Sequence, residues 1–135
     1  MTDAIECFQI VADTYPNAAS YYNLSMMLFK NRRFKRSAQA LEKSVELEET
    51  PSRLIALARI YRVTGQYDKQ ISTLKRAVQV DENNISIIQL LAEAYLHENQ
   101  ELEAKKQFRR ILKLDPKNPR ARQAIEPIRT LKKVR

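Results

Sequence analysis

A single glycine, Gly65, in 135 residues leaves no material for a glycine-rich phosphate loop, and no Gly/Ser-rich linker divides the chain. The only cysteine, Cys7, rules out an intramolecular disulfide and a zinc cluster, and is compatible with a reducing compartment. The only histidine, His97, has no cysteine or second histidine with which to share a metal, and its acidic neighbours are Glu93 and Glu98. It is expected to be solvated or to line a groove. Ser20, Ser25 and Ser37 fall on helix stripes without a nearby base. No catalytic residue, metal or cofactor is therefore expected, and the chain reads as non-enzymatic. No apolar run reaches the roughly 18 residues a membrane span needs. The start, MTDAIECFQIVADTY, carries acids in place of a basic leader. The expected place of work is the cytoplasm, with the nucleus left open.

What is abundant is Leu, Ala, Glu, Lys, Arg and Gln, all good helix formers. The length suits one domain able to bury a core without staples. The net charge of +8 is unevenly placed. Residues 104–135 hold 12 Lys or Arg against Asp115 and Glu126, so this basic character belongs to the C-terminal part.

The stretch GQYDKQISTLKRAVQVDENN, residues 65–84, recurs. Moved back by 33 residues, Tyr67, Ile71, Leu74, Val78 and Val80 fall on Phe34, Ala38, Leu41, Val45 and Leu47. Moved forward by 34, Leu74, Ala77, Val78, Val80 and Asn84 meet Phe108, Ile111, Leu112, Leu114 and Asn118, while Tyr67 meets the mismatched Glu101. A period of 33 to 34 with helical spacing inside each copy predicts a solenoid of helix pairs.

In chain order the spacing predicts a helix over 3–15, with Ile5, Phe8, Val11 and Ala12 on one stripe and Pro16 as its stop. Asn17 caps the next helix, which runs to about Phe29 and turns its Tyr21, Leu24, Ser25 and Leu28 inward. A turn over 30–33 leads to a helix with Phe34, Ala38, Leu41, Val45 and Leu47 inward. Thr50-Pro51 starts the next pair, since threonine caps an orphan amide and proline has none to lose. Gly65 supplies the left-handed residue between its helices and Asn99 takes the same place in the following pair. That pair carries Ile88, Leu91, Ala92 and Tyr95, then Leu102, Phe108, Ile111 and Leu114, on its inward stripes. Asn118-Pro119 opens a last helix, which Pro127 kinks or ends. The expected layout of the single domain 1–135 is a half repeat at 3–17, repeats at 18–50, 51–84 and 85–118, a capping helix at 119–130 and a frayed tail at 131–135: an all-α fold of about eight helices.

These residues resemble the tetratricopeptide repeat (TPR) family, whose 34-position pattern places a tryptophan-like residue, Leu-Gly, Tyr, Ala, Phe and Pro at fixed offsets. Repeat three fills those slots with Ile88, Leu91-Ala92, Tyr95, Ala104, Phe108 and Pro116. Repeat two holds Leu54, Leu57-Ala58, Tyr61, Gln70, Leu74 and Glu82, and repeat one departs furthest with Tyr21, Leu24-Ser25, Leu28, Ser37, Leu41 and Glu49. The small residues Ser25, Ala58 and Ala92 sit where helices approach most closely, and Tyr61 and Tyr95 are expected in the core. The resemblance implies a right-handed superhelical solenoid whose concave face, lined by the first helix of each pair, receives a partner's peptide or helix. It implies a protein-interaction scaffold or adaptor in complex assembly.

Carried over by position, that face presents Tyr22, Met26, Phe29 and Lys30, then Ile55, Arg59, Arg62 and Val63, then Gln89, Glu93, Leu96 and His97, with Arg120 and Gln123 closing the far end. Tyr22, Met26 and Phe29 either pack on a neighbouring helix or form an apolar pocket flanked by Arg59 and Arg62. Chaperone-binding members hold a terminal carboxylate with Lys, Asn and Arg at fixed slots. Here those slots hold Tyr22, Met26, Ala56, Ser86 and Leu90, so no carboxylate clamp is expected.

Two further surfaces stand out. Lys105, Lys106, Arg109, Arg110 and Lys113 form one stripe, either a solvated outer face or a site for nucleic acid or an anionic surface. Nucleic acid is disfavoured because residues 109–135 contain no aromatic side chain on which a base could stack; the five basic residues in 30–36 are a smaller candidate. At the other end, Cys7 and Ile10 lie off the first helix's stripe. They are expected to be exposed, or covered by a missing repeat, a partner, or a second copy in a two-fold homodimer.

Overall fold

The computed structural model describes residues 3–125, and these form eight α-helices and no strand. In order they are α1 (Ala4–Thr14), α2 (Ala18–Lys30), α3 (Phe34–Leu47), α4 (Pro51–Val63), α5 (Tyr67–Val80), α6 (Ile85–His97), α7 (Glu101–Leu114) and α8 (Pro119–Ile125). The expected continuation of the last helix to 130, its Pro127 kink and the tail at 131–135 lie outside the described residues. The chain falls into two compact units, Met1–Val80 and Asp81–Arg135, divided at the polar break the sequence places over 81–84.

Side chains that satisfy the first orphan amides fix several helix starts. Asp3 accepts from the Glu6 amide, Thr50 from Arg53 ahead of Pro51, and Asn84 from Ile87. Asn17 and Ser20 exchange bonds in a capping box. α3 and α7 have no such cap. They follow a shared device in which the first helix of each pair ends on a left-handed residue: Arg32 (φ 61°), Gly65 (φ 75°) and Asn99 (φ 59°). In each the next amide reaches back five residues, Arg33 to Leu28 O, Gln66 to Tyr61 O and Gln100 to Tyr95 O, all at 2.8 Å. The left-handed residue itself bonds three back, to Phe29, Arg62 and Leu96. This is the Schellman arrangement, which satisfies the last carbonyls while reversing the chain. Gly65 and Asn99 match the sequence reading, whereas Arg32 was not foreseen, because arginine carries no preference for positive φ.

The resulting three-residue turns pack α2 on α3, α4 on α5 and α6 on α7. Leu24, Leu28, Leu41 and Val45 are buried in the first pair, Leu54, Tyr61, Leu74 and Val78 in the second, and Ile88, Tyr95, Phe108 and Ile111 in the third. Ser25, Ala58 and Ala92 are buried at the helix contacts, as their size requires. Between α2 and α3 the contact is polar. Ser25 Oγ donates to Ser37 O and Ser37 Oγ to Ser25 O, both at 2.8 Å, and Ser44 Oγ donates to Ala18 O at 2.7 Å.

Four expected inward residues are exposed. Leu47 is 57% exposed, Leu102 77% and Leu114 41%, and each stands six residues from the buried anchor of its helix, Leu41 or Phe108. At about 100° per residue, six steps turn a side chain some 120° off the stripe. Val11, 46% exposed, fails differently: it faces the side of α1 on which no described helix packs.

Candidate partner-binding face

In the first unit, α2 contributes Tyr22, Met26 and Phe29, all half-buried, with Lys30 exposed. Phe29 packs edge-on against Phe34 of α3, with ring centres 5.3 Å apart and an interplanar angle of 66°. That ring is therefore braced by its own repeat, which holds one side of it in place and leaves the other partly open. At the matching positions of α4, Ile55 is half-buried and Arg59, Arg62 and Val63 are exposed. Neither guanidinium meets a carboxylate among the described residues.

The second unit is already partnered at equivalent positions. Glu93 of α6 receives Arg120 of α8 through Nε at 2.6 Å and a terminal nitrogen at 3.0 Å, a two-point grip. The guanidinium also lies 5.1 Å from the centre of the Phe108 ring. His97 Nδ1 lies 3.5 Å from Glu98, Gln89 and Leu96 are half-buried, and Gln123 is exposed. The sequence places Glu93 and Arg120 on one face but does not show that they engage each other.

Tyr61, 6% exposed, is core at its ring and polar at its tip, where the hydroxyl donates to Glu42 Oε1 at 2.6 Å. Burial, then the bond to and charge of Glu42, push its pKa well above the usual tyrosine value, so it stays a donor. Lys69 lies 5.6 Å over the ring. A cleft of about 350 Å³ opens here, lined by Glu42, Glu46, Lys69 and Arg76 among others, and includes no residue of the candidate face.

Of the basic stripe on α7, Lys106 pairs with Glu103 at 3.0 Å and Arg110 donates to the Glu82 carbonyl at 2.7 Å. Lys105 is half-buried, and Arg109 and Lys113 are exposed. Cys7 is exposed and Ile10 is 58% exposed. Among the described residues no helix is long and apolar enough to cross a membrane.

The geometry has counterparts. Two family models described as "Tetratricopeptide repeat" match residues 2–53 and 65–126. The curated "Tetratricopeptide repeat protein 8" of Caenorhabditis elegans is 30% identical over 71 residues, 53% of this chain. The chain spans 14% of the length of that relative. Among solved structures, "Crystal structure of MamA" superposes with a TM-score of 0.77 at 19% identity, over 98% of this chain and 78% of that one. "Crystal structure of YrrB: a TPR protein with an unusual peptide-binding site" gives 0.68 at 19% identity, over 90% and 63%. "First TPR of Spaghetti (RPAP3) bound to HSP90 peptide SRMEEVD" gives 0.66 at 19% identity, over 86% and 93%. With the same 33-to-34-residue helix pair repeated along the chain and the family models meeting it on both sides of the break, the protein belongs to the tetratricopeptide repeat family.

Proposed function

We propose that the chain is a protein-interaction scaffold that holds an extended peptide or a helix of a partner against α2 and α4. One observation carries this reading: at matching positions, α2 offers the half-buried Tyr22, Met26 and Phe29, and α4 offers the exposed Arg59 and Arg62, which meet no carboxylate among the described residues. A braced aromatic on α2, with guanidiniums at the matching places of α4 that meet no carboxylate among the described residues, suits a ligand that offers both an apolar side chain and Asp or Glu. The RPAP3 domain and YrrB are described as peptide binders on this fold, which supports the class of ligand. The HSP90 type of terminal peptide is not the ligand proposed, because the clamp slots hold Tyr22, Met26, Ala56, Ser86 and Leu90. The competing use of the α7 stripe on nucleic acid or an anionic surface loses support from Lys106 and Arg110, which already have protein partners.

The test selects ligands for the chain from a random peptide library and titrates the best one against wild type, Phe29→Ala, Arg59→Glu and Arg62→Glu. Acidic peptides with an apolar anchor should be selected. Each variant should weaken binding about tenfold or more with unchanged helix content. Equal binding by both charge-reversed proteins would move the site elsewhere.

A further inference from the structure

The turn between α2 and α3 shares its backbone with the turns of the other two pairs and differs from them in charge. Residues 30–36 carry Lys30, Arg32, Arg33, Lys35 and Arg36 and no acid. The corresponding residues 63–69 set Lys69 against Asp68, and 97–103 carry Glu98, Glu101 and Glu103 with no Lys or Arg. All three turns have the same left-handed residue and the same backbone bonds, so folding does not require this charge.

Local chemistry opposes it. Arg32 sits at φ 61°, where the other turns use Gly65 and Asn99, the residues that accept such a backbone most readily. The start of a helix is its positive end and favours acids. There α5 has Asp68 and α7 has Glu101 and Glu103, whereas the first turn of α3 has no acid and carries Lys35 and Arg36. All five basic residues are exposed, and none meets a carboxylate among the described residues. Arg36 donates to the uncharged Gln9 at 3.4 Å. Positive charge held against two local preferences and left without an acid suits a polyanion.

The neighbours of these cations select the polyanion. Phe34 stands within the run, half-buried and held edge-on to Phe29 with ring centres 5.3 Å apart. A fixed aromatic ring among cations meets both needs of a single strand, charge for its phosphates and a surface on which a base can stack. Asp3 and Glu6 line a cleft of about 380 Å³ together with Arg33 and Arg36. A broad anionic membrane would meet these acids as well as the cations, whereas a narrow strand can follow Lys30, Arg32 and Lys35 past them. We propose that the α2–α3 turn binds single-stranded nucleic acid, its phosphates held by these five cations and a base stacked at Phe34.

Fluorescence anisotropy of labelled oligouridylate and oligothymidylate, titrated with the full chain at rising salt, tests this beside three rivals: duplex DNA, anionic lipid vesicles and a polyglutamate peptide. One or both single strands should bind more tightly than any rival, and their ratio tells RNA from DNA. Log affinity should fall against log salt with a slope of about 0.7 for each cation engaged. Arg33→Gln with Lys35→Gln should weaken binding roughly tenfold and lower that slope by about 1.4. Arg109→Gln with Lys113→Gln removes the same charge from α7 and should change affinity by no more than about twofold. Phe34→Leu should weaken binding about fivefold or more with the slope unchanged. Arg32→Gly should weaken binding severalfold while raising the melting temperature, a combination that a purely structural role would not produce. Absence of binding to either strand at low salt overturns the proposal. So does tighter binding of a rival, an equal loss from the α7 variant, or an Arg32→Gly protein that binds as wild type does.

Discussion

Replacing Gly65 by alanine isolates the backbone cost of the turn that closes each helix pair. A Cβ built at Gly65 meets nothing within 4 Å, so no steric term enters, yet φ stays at +75°. Holding a residue with a side chain in the left-handed region costs about 1–2 kcal/mol. Losing glycine's freedom in the unfolded chain returns about 0.4–1 kcal/mol. The difference predicts that Gly65→Ala destabilises by about 1 kcal/mol. Arg32 holds the same conformation at φ 61° with a side chain already present, so Arg32→Gly runs the two terms in reverse and should stabilise by about the same amount. Asn99→Gly should gain less, because asparagine visits this region more readily. Urea unfolding reports these as midpoint shifts at constant slope, and about 1 kcal/mol corresponds to several degrees in melting temperature for a unit of this size. A neutral or stabilising Gly65→Ala together with a destabilising Arg32→Gly would show that the turns do not hold this geometry.

Ala58→Leu and Ala92→Leu place a large side chain at positions 3% and 0% exposed and should each cost about 1–3 kcal/mol by overpacking, read as a fall in melting temperature. Tyr61→Phe removes the hydroxyl that donates to Glu42 and should cost about 1.5–3 kcal/mol at neutral pH, the range for a bond to a charged group. Because folding raises the Tyr61 pKa, its contribution is present below the unfolded value of about 10 and is lost as pH rises beyond it. Stability plotted against pH above that point should therefore fall more steeply for wild type than for Tyr61→Phe. Glu93→Gln weakens the grip on Arg120. With the two side chains 40% and 34% exposed, the loss should stay at or below about 1 kcal/mol and shrink in high salt.

The helix count, the turn positions and the caps were legible because each rests on local chemistry. Asn17, Thr50-Pro51, Gly65 and Asn118-Pro119 carry their meaning within a few residues. The errors came from geometry over longer spans. Leu47, Leu102 and Leu114 sit at matching apolar places in the repeat, but recurrence does not say which way a side chain points. The Ser25–Ser37 exchange joins residues twelve apart on two helices, and the Glu93–Arg120 grip joins residues 27 apart, so no spacing rule announces either. The candidate face was readable only as a set of positions taken from the family pattern. The pairing state of its charges needed coordinates.

The polar contact between α2 and α3 bears on how the chain finds its own partners while folding. Repeats built to one pattern carry a hazard, since any first helix could dock on any second helix of the array and leave a trapped, wrongly paired chain. The facing residues differ from pair to pair: Ser25 with Ser37, Ala58 with Gln70, and Ala92 with Ala104 in the same positions. Were α2 to dock on α5, Ser25 would face the longer Gln70 side chain, and its carbonyl would lose the hydroxyl that Ser37 supplies. Were α4 to dock on α3, Ala58 would bring no hydroxyl to donate to the Ser37 carbonyl as Ser25 does. Each mismatch gives up one of the two hydroxyl bonds, at a cost of about 0.5–1.5 kcal/mol, and the first also crowds a longer side chain into the contact. The hydroxyls thus label α2 and α3 as belonging to each other, and discrimination among near-identical repeats rests on a few buried atoms.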